Sequence, residues 1–152
     1  MTISIDKLKN GIRVITEEIP SIESVSVGIW INAGSRNEKK KENGIAHFLE
    51  HMAFKGTEKR SALQIAEEIE NVGGFINAYT SREITCYYAK VLKNHLPLAV
   101  EILSDIICNS IFNKKEIEVE KGVIIQEIGM MKDPPDDVIF ELLQKEAFAD
   151  TS

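Results

Sequence analysis

A change of hydrophobic period near Gly44 constrains this fold more than any other feature of the sequence. Before it the pattern is β. Val25, Val27, Ile29 and Ile31 place a β-branched residue at every second position, the mark of a half-buried strand. Residues 2–8 alternate, Asn10-Gly11 is a hairpin turn signal, and residues 12–19 resume an extended pattern. A polar loop, GSRNEKKKEN over 34–43, separates this part from a run with helical spacing. The chain therefore reads as α+β, with strands supplied by antiparallel hairpins.

Helices dominate the remainder. Residues 45–54 are apolar nearly all round and predict a buried helix. Ser61 with Gln64 forms a capping box that opens a helix ending at Gly73-Gly74. Residues 75–79 and 84–92 predict two strands joined around 81–83. Across 95–109, Leu96, Ala99, Val100, Leu103, Ile106 and Ile107 form an amphipathic stripe. Asn113 with Glu116 is a second capping box, starting a long helix to about residue 131. Asp133-Pro134-Pro135 is expected to stop it, and Asp136 to cap a last helix through about residue 147.

The 152 residues amount to about one domain, and 43% apolar content can build a core. A net charge of −6 argues against nucleic acid as partner, because phosphate binding needs a basic face, while leaving a cationic peptide open. No stretch approaches the roughly 18–20 apolar residues of a membrane span. Cys86 and Cys108 lack CxxC spacing and read as two buried free thiols in a reducing compartment. The N-terminus lacks signal-peptide and presequence character. A cytoplasmic protein is expected, or an organellar one after removal of a presequence.

Two of the three histidines fall in His47-Phe48-Leu49-Glu50-His51. On a helix, positions i and i+4 share a face, so both imidazoles can bind one Zn²⁺ at about 2.0–2.1 Å. Glu50 projects from nearly the same side, close enough to reach the water that such a metal activates. The order HxxEH is the inverse of the HExxH zincin motif. By chance it arises in fewer than about 1% of chains this long, so an ordinary buried helix with satisfied histidines is a poor account of it. Three ionisable groups on an apolar helix would also be costly to bury unless paired or metal-bound.

A catalytic zinc needs a third protein ligand and an open position. His95 is a poor candidate, at a helix start among polar neighbours. The helix from 113 offers Glu116, Glu118, Glu120 and Glu127, of which Glu120 and Glu127 are seven apart and share a face. Glu127 lies among Ile124, Ile125 and Ile128, where an unpaired carboxylate would be expensive. That context selects Glu127 as ligand and leaves Glu120 to orient a histidine. A surface salt bridge is the competing reading for each.

The segment GIAHFLEHMAFKGT over 44–57 resembles the pitrilysin/insulinase family of zinc metallopeptidases, in the branch containing the mitochondrial processing peptidase β-subunit and its bacterial relatives. Leu8-Lys9-Asn10-Gly11, Gly34-Ser35-Arg36, Gly73-Gly74, Asn77-Ala78-Tyr79-Thr80-Ser81 and the Glu120…Glu127 pair extend the likeness over nearly the whole chain. The resemblance implies an antiparallel-rich sheet packed by helices on one side, as in processing-peptidase-like metallohydrolases. It implies Zn²⁺ held by His47, His51 and Glu127, with Glu50 as catalytic base and Glu120 as a supporting carboxylate. It also implies an extended peptide added to an edge strand at 75–79, with Asn77 and Ala78 holding the peptide backbone and Phe54 lining an apolar pocket, or serving the core alone. The location implied is bacterial cytoplasm, or the mitochondrial matrix if a presequence was removed.

Two other readings compete with the peptidase. Some members of the family are non-catalytic partner or scaffold subunits, but these lose the metal residues, which are intact here. A structural zinc needs a closed fourth position, and no nearby Cys or His supplies one. The family's enzymes enclose a chamber between two homologous halves or subunits. Residues 1–152 are therefore expected to be the N-terminal zinc-binding domain of a protein of more than about 400 residues, several domains' worth. The isolated chain is expected to fold, bind zinc weakly and show little peptidase activity without a C-terminal half or partner subunit. Its exposed half-interface is expected to favour a homo-oligomer. Acidity fits basic, presequence-like peptide substrates.

Overall fold

The structure is a computed structural model that describes residues 2–130 and 135–148. The elements run β1 (Thr2–Lys7), β2 (Arg13–Glu18), β3 (Ser24–Ile31), α1 (Ile45–Ala53), α2 (Ala62–Glu70), β4 (Phe75–Thr80), β5 (Thr85–Leu92), α3 (Leu96–Cys108), α4 (Lys114–Met130) and α5 (Pro135–Ala147). β3, β5 and β4 form one antiparallel sheet in that order, with Val27 opposite Ala89 and Ala78 opposite Tyr87. β4 is thus an edge strand.

Strand alternation decides which side of the sheet is covered. Val25, Val27, Ile29 and Ile31 of β3 share a face with Ile76 and Ala78 of β4 and Tyr87, Ala89 and Val91 of β5. Against that face pack Ile102, Leu103 and Ile106 of α3, Ile65 and Ile69 of α2, and Ala53 at the end of α1. Each wholly buried Ile or Leu contributes about 2 kcal/mol by area. Helices on one side of an antiparallel sheet is the α+β arrangement expected. On the opposite face Trp30, Phe75 and Tyr79 remain exposed.

Local signals explain most boundaries. Ser61 Oγ accepts from Gln64 N–H while Gln64 Oε1 accepts from Ser61 N–H, the capping box at the start of α2. At its end Gly73 adopts φ +68° and donates to Glu70 O, and Gly74 donates to Ile69 O, a Schellman turn. Asn113 Oδ1 caps α4 by accepting from Lys115 N–H. The loop after α1 is tied down by charge. Thr57 Oγ1 donates to Asp105 Oδ2 at 2.7 Å, and Arg60 reaches Asp105, Glu68 and Glu101 at 3.0, 3.0 and 2.8 Å.

Several expectations are corrected. The first hairpin forms with a longer connection over 8–12, where Gly11 sits at φ +92°, and it stands off the main sheet with every residue exposed. Helix α1 is not buried all round: Ile45 and Leu49 face solvent, and only Met52 and Ala53, on its last turn, are buried. In α3, Val100 is exposed and Ile102, nearly opposite it on the helix, is buried beside Ala99, Leu103 and Ile106, so the core stripe is rotated from the one expected. Cys86 is buried, but Cys108, on the last turn of α3, is exposed. Helix α5 begins at Pro135, which suits a first helical position, so Asp136 lies inside the first turn and not ahead of it. The expected helix end at residue 131 and the Asp133-Pro134 part of the stop lie outside the described residues.

Candidate metal centre

Helices α1 and α4 cross beside the β4 edge and bring three donors together. His47 and His51, one turn apart, face each other with Nε2 atoms 3.0 Å apart and rings edge-on at 85°. Glu127 Oε2 lies 3.4 Å from His51 Nε2 and 3.7 Å from His47 Nε2. Three ligand atoms around one tetrahedral Zn²⁺, each at 2.0–2.1 Å, stand about 3.3 Å from one another. The triangle of 3.0, 3.4 and 3.7 Å matches that spacing, and two imidazoles with a carboxylate are a zinc-type donor set. The residues fit the metal. His47 and Glu127 side chains are 40% and 42% exposed, which leaves the group open to a ligand, whereas His51 is only 17% exposed.

His51 is oriented from behind. Its Nδ1 donates to Glu120 Oε1 at 2.8 Å, so Nε2 presents a lone pair toward His47 and Glu127. Glu120 is buried and is ion-paired through Oε2 with Lys55 Nζ at 2.6 Å. Burial pushes its carboxyl up, but the bonds from Lys55 and His51 outweigh it and hold the group below the usual carboxylate range. Glu120 thus remains an acceptor-only partner for the histidine.

Glu50 follows His47 by three residues on the same helix. Its Oε2 is buried yet has no hydrogen-bond partner among the described residues. An orphaned buried carboxylate oxygen beside a cluster of metal-type donors is suited to taking a proton. Its charge is felt by Tyr87 of β5, whose phenol is pushed up to about 12, by burial first and by Glu50 second.

The remaining sequence candidates lie on β4 and at the end of α1. Asn77 and Ala78 lie on the edge strand β4, and Ala78 N–H donates to Asn77 Oδ1 at 2.8 Å. Phe54 caps the C-terminus of α1, packs against the core and lines a cavity of about 380 Å³ with Ile65, Ile69, Phe75 and Asn77. The structure therefore brings His47, His51, Glu127 and Glu120 into direct contact. His95 sits at the N-cap of α3, outside the donor group. Two features escaped sequence reasoning. Lys55 follows His51 by four residues, in the turn that closes α1, a spacing that could have flagged it. Tyr87 carried no local signal. The burial argued for Glu127 is also corrected, since Ile125 and Ile128 are 69% and 48% exposed.

Comparison with known proteins agrees with this geometry. The sequence pattern of the insulinase family (peptidase family M16) matches residues 13–152. The chain is 47% identical over 144 residues to the "uncharacterized zinc protease YmxG" of Bacillus subtilis, covering 95% of this chain and 35% of that protein. It is 53% identical over 145 residues to the mitochondrial-processing peptidase subunit beta of Rattus norvegicus, covering 95% of this chain and 29% of that protein. The crystal structure of a protease from Helicobacter pylori superposes with a TM-score of 0.86 at 28% identity, over 91% of this chain and 34% of that one. The chain thus spans about a third of the length of the relatives it matches. With this sequence match, fold and donor group together, the chain belongs to the insulinase family, peptidase family M16.

Proposed function

We propose that residues 1–152 are the N-terminal, zinc-binding catalytic domain of a longer metalloendopeptidase that hydrolyses extended peptides. The carrying observation is the spacing of the His47, His51 and Glu127 donors, which suits one Zn²⁺ with a position left open. Zinc, when bound, makes a water acidic near pH 7 and polarises a peptide carbonyl. Glu50 Oε2 takes the water's proton and returns it to the leaving amine. Glu120 keeps His51 turned with Nε2 outward. The peptide adds to the free edge of β4, its backbone held by Asn77 and Ala78, and an apolar side chain enters the cavity beside Phe54.

The finer reading is that the substrates are basic, presequence-like peptides. The net charge of −6 and the likeness to a mitochondrial-processing peptidase subunit support it. The same likeness supports a C-terminal half or partner subunit that completes the chamber, a homo-oligomer being one form, and a bacterial cytoplasmic or mitochondrial matrix location. The chain alone is then inactive, although it binds zinc. Elemental analysis tests the core of this reading. The purified chain supplied with zinc should bind it and Glu127→Gln should lose it; unchanged metal content in that variant would move the ligand elsewhere.

A further inference from the structure

Lys55 is not a metal donor, yet it holds the carboxylate that backs one. Its Nζ lies 2.6 Å from Glu120 Oε2, while Glu120 Oε1 receives His51 Nδ1–H at 2.8 Å. Both oxygens of Glu120 are therefore committed, one to a cation and one to an imidazole. The Glu120 side chain is only 3% exposed, so water cannot replace either partner. An isolated buried carboxylate is strongly unfavourable, and removing its counter-charge forces it to move or to neutralise. Glu120 is also the one buried residue of α4 among the described residues.

The lysine is itself placed by the backbone. Lys55 N–H donates to Met52 O at 3.1 Å in the closing turn of α1. Gly56 follows at φ +121°, a conformation that side chains rarely adopt, and Thr57 is fastened to buried Asp105. The Lys55 stem thus leaves α1 in one direction, toward Glu120.

We infer that Lys55 is a positioning residue of the metal centre. By anchoring Glu120 it fixes the Nδ1–H form and the ring orientation of His51, and so the direction in which His51 Nε2 meets a metal. This rests on the metallopeptidase reading.

The test uses the whole chain, with zinc and cobalt affinities measured by competition against a chromophoric chelator. Lys55→Met should weaken binding about tenfold or more, the scale of lost second-sphere support, while Lys55→Arg keeps the charge and recovers most of it. The double variant Lys55→Met/Glu120→Gln should bind no more weakly than Glu120→Gln alone, because both changes remove the same support. In the metal-free chain, imidazole ¹⁵N shifts should report the Nδ1–H form of His51 in the wild type and a mixture in Lys55→Met. Unchanged affinity in Lys55→Met, or losses that add in the double variant, would overturn the inference while leaving the zinc site standing. A wild-type chain that binds no zinc overturns the metallopeptidase reading; it overturns this inference too unless the tautomer change is seen.

Discussion

Replacing Arg60 by Met keeps most of the side-chain stem and removes the charge that ties the loop after α1 to α2 and α3. The guanidinium is 10% exposed and meets three carboxylates, whose side chains are 2% exposed at Asp105, 37% at Glu68 and 55% at Glu101. The pair with Glu101 lies at the surface, where ion pairs contribute at most about 1 kcal/mol. The pair with Asp105 is different, because stripping the partner from a buried charge costs about 3–5 kcal/mol. Asp105 retains hydrogen bonds from Thr57 Oγ1 and Asn109 Nδ2, which places the loss near the lower end, about 3 kcal/mol. For a chain this size that lowers Tm by about 6–12 °C.

The pH dependence has a definite sign. Burial pushes the Asp105 carboxyl up, but hydrogen bonds from Thr57, Asn109 and Arg60 outweigh it and hold it below the ordinary range. A depressed carboxyl stabilises the fold above its unfolded pKa of about 3.9, and that contribution is lost as pH falls through the folded value. Without Arg60 the folded value rises. The gap between wild type and variant is therefore widest near neutral pH and narrows on acidification below about pH 4. Urea unfolding at several pH values measures this. A loss under about 1 kcal/mol at pH 7, or a gap that widens in acid, would refute the reasoning.

Glu50→Gln should retain zinc in the full-length enzyme and abolish peptide cleavage; cleavage at the wild-type rate would exclude Glu50 as the base. Leu103→Ala, at a site with no solvent exposure in the sheet–helix core, should cost about 3 kcal/mol in chemical unfolding. Gly34→Ala should also destabilise, because a Cβ there would lie 2.4 Å from Ser81 O, and thermal unfolding reports the loss. Chelation of zinc should lower Tm in a zinc-dependent way that the Glu127→Gln variant does not share.

Much of this was legible in the sequence because its determinants are local. The alternation over β3, the capping box of α2 and the i, i+4 spacing of His47 and His51 each lie within a few residues. The half-exposed surroundings of Glu127 do not support a burial argument for it, and its seven-residue spacing from Glu120 is the sounder clue. The pairings illegible in sequence are the distant ones. Arg60 finds Asp105 across 45 residues, and His51 finds Glu120 across 69. Neither follows from periodicity, because both depend on how α3 and α4 lie against α1. The hairpin shows the opposite failure. Its alternation predicts a strand pair correctly, yet nothing local says whether Ile3, Ile5 and Ile15 find cover, and among the described residues they do not.

The donors from α1 and α4 belong to segments remote in sequence. In the unfolded chain, gathering His51 and Glu127 around one ion would require closing a loop of roughly 75 residues, at an entropic cost of about 4 kcal/mol. The folded chain presents them already assembled, so the ion discriminates strongly between the two states. Helix α4 buries one side chain of its own, Glu120, so zinc held as proposed would add a link between Glu127 and α1 to that packing. Zinc supply would thereby become a variable of stability: the ion would reinforce an arrangement of α1 and α4 that the folded chain already holds.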